Sequence, residues 1–269
     1  MDKKDIENIY YSWEKQLEEE YINIFPNAKY TIFDGVISPS DYFNSPIKVM
    51  FLNREAYDED FCSYNITKDG LKKELDNGAP IFRGRYWINQ NMKERLAYCS
   101  MLDHILDYSE DVAISQAQNM SNREYRHLLY KSAYTNIKKS DGVNGSTKKN
   151  LLSYAQRGWN IIEKQISFFN PTIIIGGNII EKIVECIEGI EWGEDVFDEK
   201  GSSIFICQIK IGGKFFPIVD MYHPSYTCDS QELFYALKTV AQRYPGFWES
   251  RIGQKCFEFQ QSSQQITNH

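Results

Sequence analysis

The chain has no apolar run that approaches membrane-spanning length, and its first residues, Met1-Asp2-Lys3-Lys4-Asp5, are charged rather than signal-like. A soluble, cytoplasmic protein with no membrane partner is therefore expected. No Cys-x-x-Cys pair occurs among the cysteines at 62, 99, 186, 207, 228 and 256, so a zinc ribbon is disfavoured and free, mostly buried thiols are expected. There is no Gly-x-Ser-x-Gly elbow, and Ser225 follows a proline, which leaves a serine-nucleophile hydrolase without support. The pair Gly176-Gly177 lacks the third glycine and the lysine of nucleotide-binding loops; close strand–helix packing is its expected role. Positive charge is also short. A net charge of −7 argues against a protein that coats nucleic acid nonspecifically. No Pro/Gly/Ser-rich linker and no repeat divides the chain, so residues 1–253 read as one domain and the Gln- and Ser-rich 254–269 as a flexible tail.

What is present suffices for a large core. With 269 residues and 42% hydrophobic content, the chain can fold without disulfides, metals or a cofactor, and a monomer is expected. Residues 5–24 place Ile6, Ile9, Tyr10, Trp13, Leu17, Tyr21 and Ile24 at helical spacing, which predicts an amphipathic cap helix. Apolar runs at 47–52, 173–175 and 215–219 read as buried strands, and 133–139 as a shorter one. Helices are predicted over 92–107, 151–169, 179–187 and from Ser230 to Arg243. Ile204–Ile211 and Lys214–Val219 flank Gly212-Gly213, a hairpin signature. Strands buried on both faces and separated by helices predict an α/β fold, a three-layer α/β/α sandwich with a central, mostly parallel sheet.

Three strand ends carry chemistry. The strand before Asp220-Met221-Tyr222-His223-Pro224-Ser225-Tyr226 stops at a histidine that proline holds extended. The strand at 47–52 runs into Asn53-Arg54-Glu55-Ala56-Tyr57, with a carboxylate just past its end. In Ala133-Tyr134-Thr135-Asn136-Ile137-Lys138-Lys139 an amide precedes a basic doublet. A carboxylate, an amide and a histidine at strand ends suit holding a nucleobase and breaking its bond to sugar. Arg83-Gly84-Arg85-Tyr86-Trp87 mixes cations with rings, as a strand-binding groove requires.

These motifs, in this order, resemble the uracil-DNA glycosylase superfamily. Asn53-Arg54-Glu55-Ala56-Tyr57 is similar to its water-activating loop, usually Gly-Gln-Asp-Pro-Tyr; Thr135-Asn136 to the strand end that reads the base; His223-Pro224-Ser225 to its His-Pro-Ser motif. Gly78-Ala79-Pro80-Ile81-Phe82-Arg83-Gly84 is similar to the segment that supplies a stacking ring. The first motif departs from the pattern at Asn53 and Ala56, and glutamate replaces aspartate. Some members carry an iron–sulfur cluster, which this cysteine spacing does not support.

The resemblance implies a glycosylase that flips a nucleotide out of DNA, double-stranded or already single-stranded, and leaves an abasic site. It implies Glu55 and His223 as catalytic residues, with Asn136, Phe82 and Tyr57 around the base. Ser225, Tyr226, Lys138, Lys139, Arg83 and Arg85 would contact DNA. The implied substrate is uracil, or a modified pyrimidine such as a hypermodified phage cytosine, which would mean antiviral defence rather than repair. The alternative is a non-catalytic base- or nucleotide-binding module of the same fold.

Overall fold

The computed structural model describes residues 2–55, 62–78, 90–140, 147–187, 190–197, 203–223 and 231–243. Its main sheet has six strands. In chain order the strands are β1 (Ile32–Phe33), β2 (Val49–Glu55), β3 (Tyr64–Asn65), β4 (Ser132–Lys138), β5 (Ile173–Gly177), β6 (Ile190–Phe197), β7 (Ser203–Ile211) and β8 (Lys214–Met221). The main sheet runs β4-β2-β5-β8-β7-β6, while β1 and β3 pair separately. Strands β4, β2, β5 and β8 are parallel, and β7 and β6 extend the sheet antiparallel. The fold is thus mixed α/β with a mostly parallel centre, as the alternating pattern predicts.

The helices are α1 (Lys3–Ile24), α2 (Pro39–Phe43), α3 (Lys73–Asp76), α4 (Gln90–Ser100), α5 (Glu110–Asn119), α6 (Asn122–Tyr130), α7 (Lys148–Phe169), α8 (Ile180–Ile183) and α9 (Gln231–Arg243). They cover both sheet faces because successive strand side chains point to opposite sides. Val49, Phe51, Ile173, Ile175 and Val219 pack with Leu96, Leu129, Leu233 and Leu237 from α4, α6 and α9. Met50, Leu52, Ile174 and Ile218 pack with Tyr10, Leu17, Ile162, Ile166 and Ile180 from α1, α7 and α8. Each fully buried aliphatic or aromatic side chain contributes roughly 1.5–3 kcal/mol, so these two clusters supply the main driving force.

Several boundaries differ from expectation for local reasons. Strand β2 continues three residues past Leu52, because its pairing with β4 carries Asn53 and Glu55 into the ladder. The helix expected over 92–107 stops at Ser100, followed by a short 3-10 turn, Leu102–His104. The one expected over 179–187 is a single α-turn, Ile180–Ile183, with a 3-10 turn after it. Helices α5 and α6, a π-helical turn at Ile66–Lys72 and strand β6 were not predicted. The hairpin forms as read: Gly212 and Gly213 take φ of 57° and 82°, the turn that matches strand twist. The cap helix runs Lys3–Ile24, with the Asp2 carboxylate accepting from Asp5 N.

Chain direction sets where a crevice opens. From β2 the chain crosses to β4 on one side; from β5 it goes on to β8 on the other. Adjacent strands whose connections diverge leave a gap beyond their carboxyl ends, the place where open α/β sheets bind ligands.

Candidate active site at the carboxyl end of the parallel strands

Asn136, Glu55 and His223 all lie at this end of the sheet. Register pairs Asn53 with Asn136 and Glu55 with Lys138 across β2 and β4. On the other side Leu52 pairs with Gly176, and Gly177 with Met221, two residues before His223. The three candidates therefore sit on strands spread over three inter-strand spacings, roughly 14 Å.

Gly177 brings two of the strand ends closer. A methyl group on it would stand 3.1 Å from Asn53 Oδ1 and 3.4 Å from His223 Cδ2, so the imidazole leans over β5 towards β2. Gly176 is constrained from the other side: a methyl there would lie 2.2 Å from Asp220 Oδ1. That carboxylate accepts from Ile179 N at 3.0 Å and Ile180 N at 2.8 Å, tying β8 to the start of α8. The glycine pair thus serves close packing, against Asp220 and the site rather than against a helix alone.

His223 is mostly buried, and that burial, followed by the charges of Arg95 and Arg54, pushes its imidazole down to about 4. It is neutral at physiological pH, so one ring nitrogen carries a hydrogen and the other is an acceptor. Arg95 belongs to α4 and is 0% exposed. Its position four residues before buried Cys99 puts a cation on an otherwise apolar helix stripe, a signal the sequence carries. Lys182 is also held below the usual lysine range, by desolvation and then by Arg54, and donates to Asn178 Oδ1 at 2.7 Å. Two guanidinium charges therefore act on the neutral histidine although the whole chain is acidic.

Glu55 ends β2, and its Oε2 lies 4.0 Å from Lys138 Nζ, with side-chain exposures of 11% and 5%. Lys138 also stands over the Tyr154 ring, 5.2 Å from its centroid. Lys139 is fully buried, its ammonium 2.5 Å from Asp34 Oδ1 and 2.9 Å from Thr135 Oγ1. Lys138 and Lys139, expected to contact DNA phosphates, are both buried in this structure. Both face internal partners, because a buried ammonium must be paired. Burial lowers the Lys139 ammonium from its ordinary range, against the opposing pull of Asp34.

Asn136 is 5% exposed and held by the same acid. Asp34 Oδ2 accepts from Asn136 N at 2.7 Å and from Asn136 Nδ2 at 3.0 Å. Tyr57, Phe82, Arg83, Arg85, Ser225 and Tyr226 lie outside the described residues, as do Tyr86, Trp87, Ser230 and the tail. Among the described residues no group of three or more His, Cys, Asp or Glu side chains is arranged to hold a metal ion, and no helix is long and apolar enough to cross a membrane. Cys99 and Cys207 are buried free thiols, Cys186 is half-buried and Cys62 exposed. The sequence matches no protein-family model and no curated protein.

Proposed function

We propose that this protein is a DNA glycosylase, similar to the uracil-DNA glycosylase superfamily, that flips a uracil or modified pyrimidine nucleotide and hydrolyses its N-glycosidic bond. The observation that carries this reading is that Glu55, Asn136 and His223 share the carboxyl end of the parallel strands, with the imidazole leaning over Gly177 towards Asn53. Breaking the bond puts negative charge on the departing base and positive charge on the sugar. A neutral imidazole that donates to the base favours the anion, and one preorganised donor of this kind is worth roughly 2.7–4 kcal/mol. Glu55 is the group for opposing the sugar cation and orienting water. Asn136, whose amide has both a donor and an acceptor, is the group for reading the base edge. Cations at Arg54, Lys148 and Lys182 suit the phosphates on either side of the flipped nucleotide, a role that replaces the one expected of the buried lysine doublet.

A second reading has one observation in its favour. Lys138 neutralises Glu55 in a nearly dry setting, which suits a structural ion pair in a base- or nucleotide-binding module. The discriminating experiment incubates the protein with oligonucleotides carrying uracil or modified pyrimidines, then cleaves abasic sites with alkali. Strand cleavage that depends on the protein supports the glycosylase. Binding without base release from any substrate supports the module.

A further inference from the structure

Residues 31–36 run along the free edge of β4, bridged antiparallel at Thr31–Ser140 and Val36–Ala133. Such an edge strand needs cover, and this segment provides it. Between the two bridges Asp34, 0% exposed, turns its carboxylate onto β4. Oδ2 takes both N–H groups of Asn136 described above. Oδ1 accepts from Lys139 Nζ at 2.5 Å and from Gln165 Nε2 at 3.0 Å. Thr135 Oγ1 accepts from Lys139 and donates to Gln165 Oε1 at 2.5 Å, which closes the network. Every member is buried.

An amide side chain has two orientations that differ by exchange of its oxygen and nitrogen. Asp34, ion-paired with Lys139, offers acceptors and no donor, so it is compatible with the Asn136 nitrogen and repels its oxygen. The choice is enforced twice, because the same Oδ2 is fixed by the Asn136 backbone N–H. Asn136 is left with Oδ1 and its second N–H for any ligand. Pyrimidines differ at this level: uracil presents N3–H beside the O4 acceptor, cytosine an N3 acceptor beside the N4 amine. A fixed amide matches one polarity, and a turned amide matches the other.

We propose that Asp34 is a positioning residue that locks the Asn136 amide in one orientation, so that the site accepts one polarity of pyrimidine edge and rejects its inverse. This rests on reading Asn136 as the base reader. In Asp34→Asn one of the two oxygens becomes an N–H donor, so the donors of Lys139, Gln165 and Asn136 can no longer all be accepted and the hold on the Asn136 amide is weakened. Asp34→Ala with Lys139→Met removes the lock together with its buried counter-charge, and so avoids leaving a lone buried cation.

The test measures single-turnover excision from oligonucleotides with uracil or cytosine opposite guanine, and NMR titration of the same proteins with free uracil and free cytosine. Both variants are expected to bring the ratio between the two bases at least tenfold closer to unity, or to invert it. A folded variant that keeps the native ratio overturns the lock while leaving the glycosylase standing. If the native chain excises nothing, the proposed activity falls and the free-base titration decides alone: a preference lost in the variants supports the lock. A preference retained, or no binding of either base to the native chain, overturns it. One measurement needs no variant: an Asn136 side-chain amide that exchanges with solvent as fast as a free amide in the native protein also overturns it.

Discussion

His223 leans over Gly177 towards Asn53, and the glycine's missing side chain is what lets the two residues share one crevice. A methyl group there meets both at 3.1–3.4 Å, tighter than ordinary contact, and must displace one of them by a few tenths of an ångström. Gly177→Ala is therefore expected to slow excision about tenfold, since misplacement of about 1 Å already costs about 10²-fold. Its melting temperature should stay close to native. A large loss of stability would mean that the glycine serves the fold and not the site.

Removing the imidazole is the more severe change. His223→Ala should lower single-turnover excision by roughly 10²–10³ with nearly unchanged DNA affinity, because its hydrogen bond strengthens as the base becomes anionic. The pH dependence has a definite sign. With a pKa depressed to about 4, the histidine stays neutral in the folded protein as acidity rises past 6.5, where an unfolded chain takes up its proton. Stability from this group is complete above about 6.5 and is lost as pH falls towards 4, a slope the His223→Ala variant should lack. Urea titrations of both proteins between those limits measure it.

The sheet was legible because its strands are apolar on both faces: Val49 to Leu52, Ile173 to Ile175 and Phe215 to Val219 leave little alternative to a buried parallel centre. Strand β6 was not, since Glu191, Gly193, Glu194 and Asp195 break any apolar pattern along an edge that, among the described residues, pairs with β7 alone. The same contrast divides the site. Glu55, Asn136 and His223 could be placed at one end of the sheet because strand ends can be counted, whereas the surroundings of Lys139 depended on Asp34, 105 residues away in sequence. A basic doublet reads as surface until its acid is known. Arg95 is legible in the sequence, a charge on the buried stripe of Met92, Leu96 and Cys99.

Beneath the cap helix, Tyr10 donates a short hydrogen bond to Glu14 and accepts one from Val36 N at 3.0 Å, which anchors α1 to the segment that carries Asp34. Desolvation raises the Glu14 carboxyl from 4.5 to about 7, with hydrogen bonds from Tyr10 and Asn65 opposing the rise. The fold thus prefers the protonated acid, and its contribution is complete below 4.5 and lost as pH rises to about 7. The difference corresponds to roughly 3 kcal/mol. Glu14→Gln keeps the acceptor for Tyr10 and removes the titration. Native protein should lose stability between those two pH values and the variant should not, so that above pH 7 the variant is the more stable. Parallel pH dependences in chemical denaturation would show that Glu14 titrates alike in the folded and unfolded states.

The last prediction separates enzyme from binder through Glu55. The carboxylate lies 4.0 Å from Lys138 and is largely shielded from water. Glu55→Gln preserves size and hydrogen bonding but removes the charge, and two consequences follow from opposite sides of that pair. Towards the substrate, loss of the charge that opposes the sugar cation should lower excision by orders of magnitude. DNA binding should hold or tighten, because a carboxylate near phosphates repels them. Towards the protein, Lys138 loses its counter-charge while remaining buried, so some stability should be lost as well. Lys138→Met with Glu55→Gln removes both charges and should restore that stability without restoring excision. Such a pattern, stability rescued and chemistry not, assigns the carboxylate to catalysis. If the double variant and Glu55→Gln both retain full excision, the carboxylate is a structural partner of Lys138 and the water must be activated elsewhere. If the native protein binds DNA but releases no base, Glu55→Gln alters affinity alone and the binding module is the correct description.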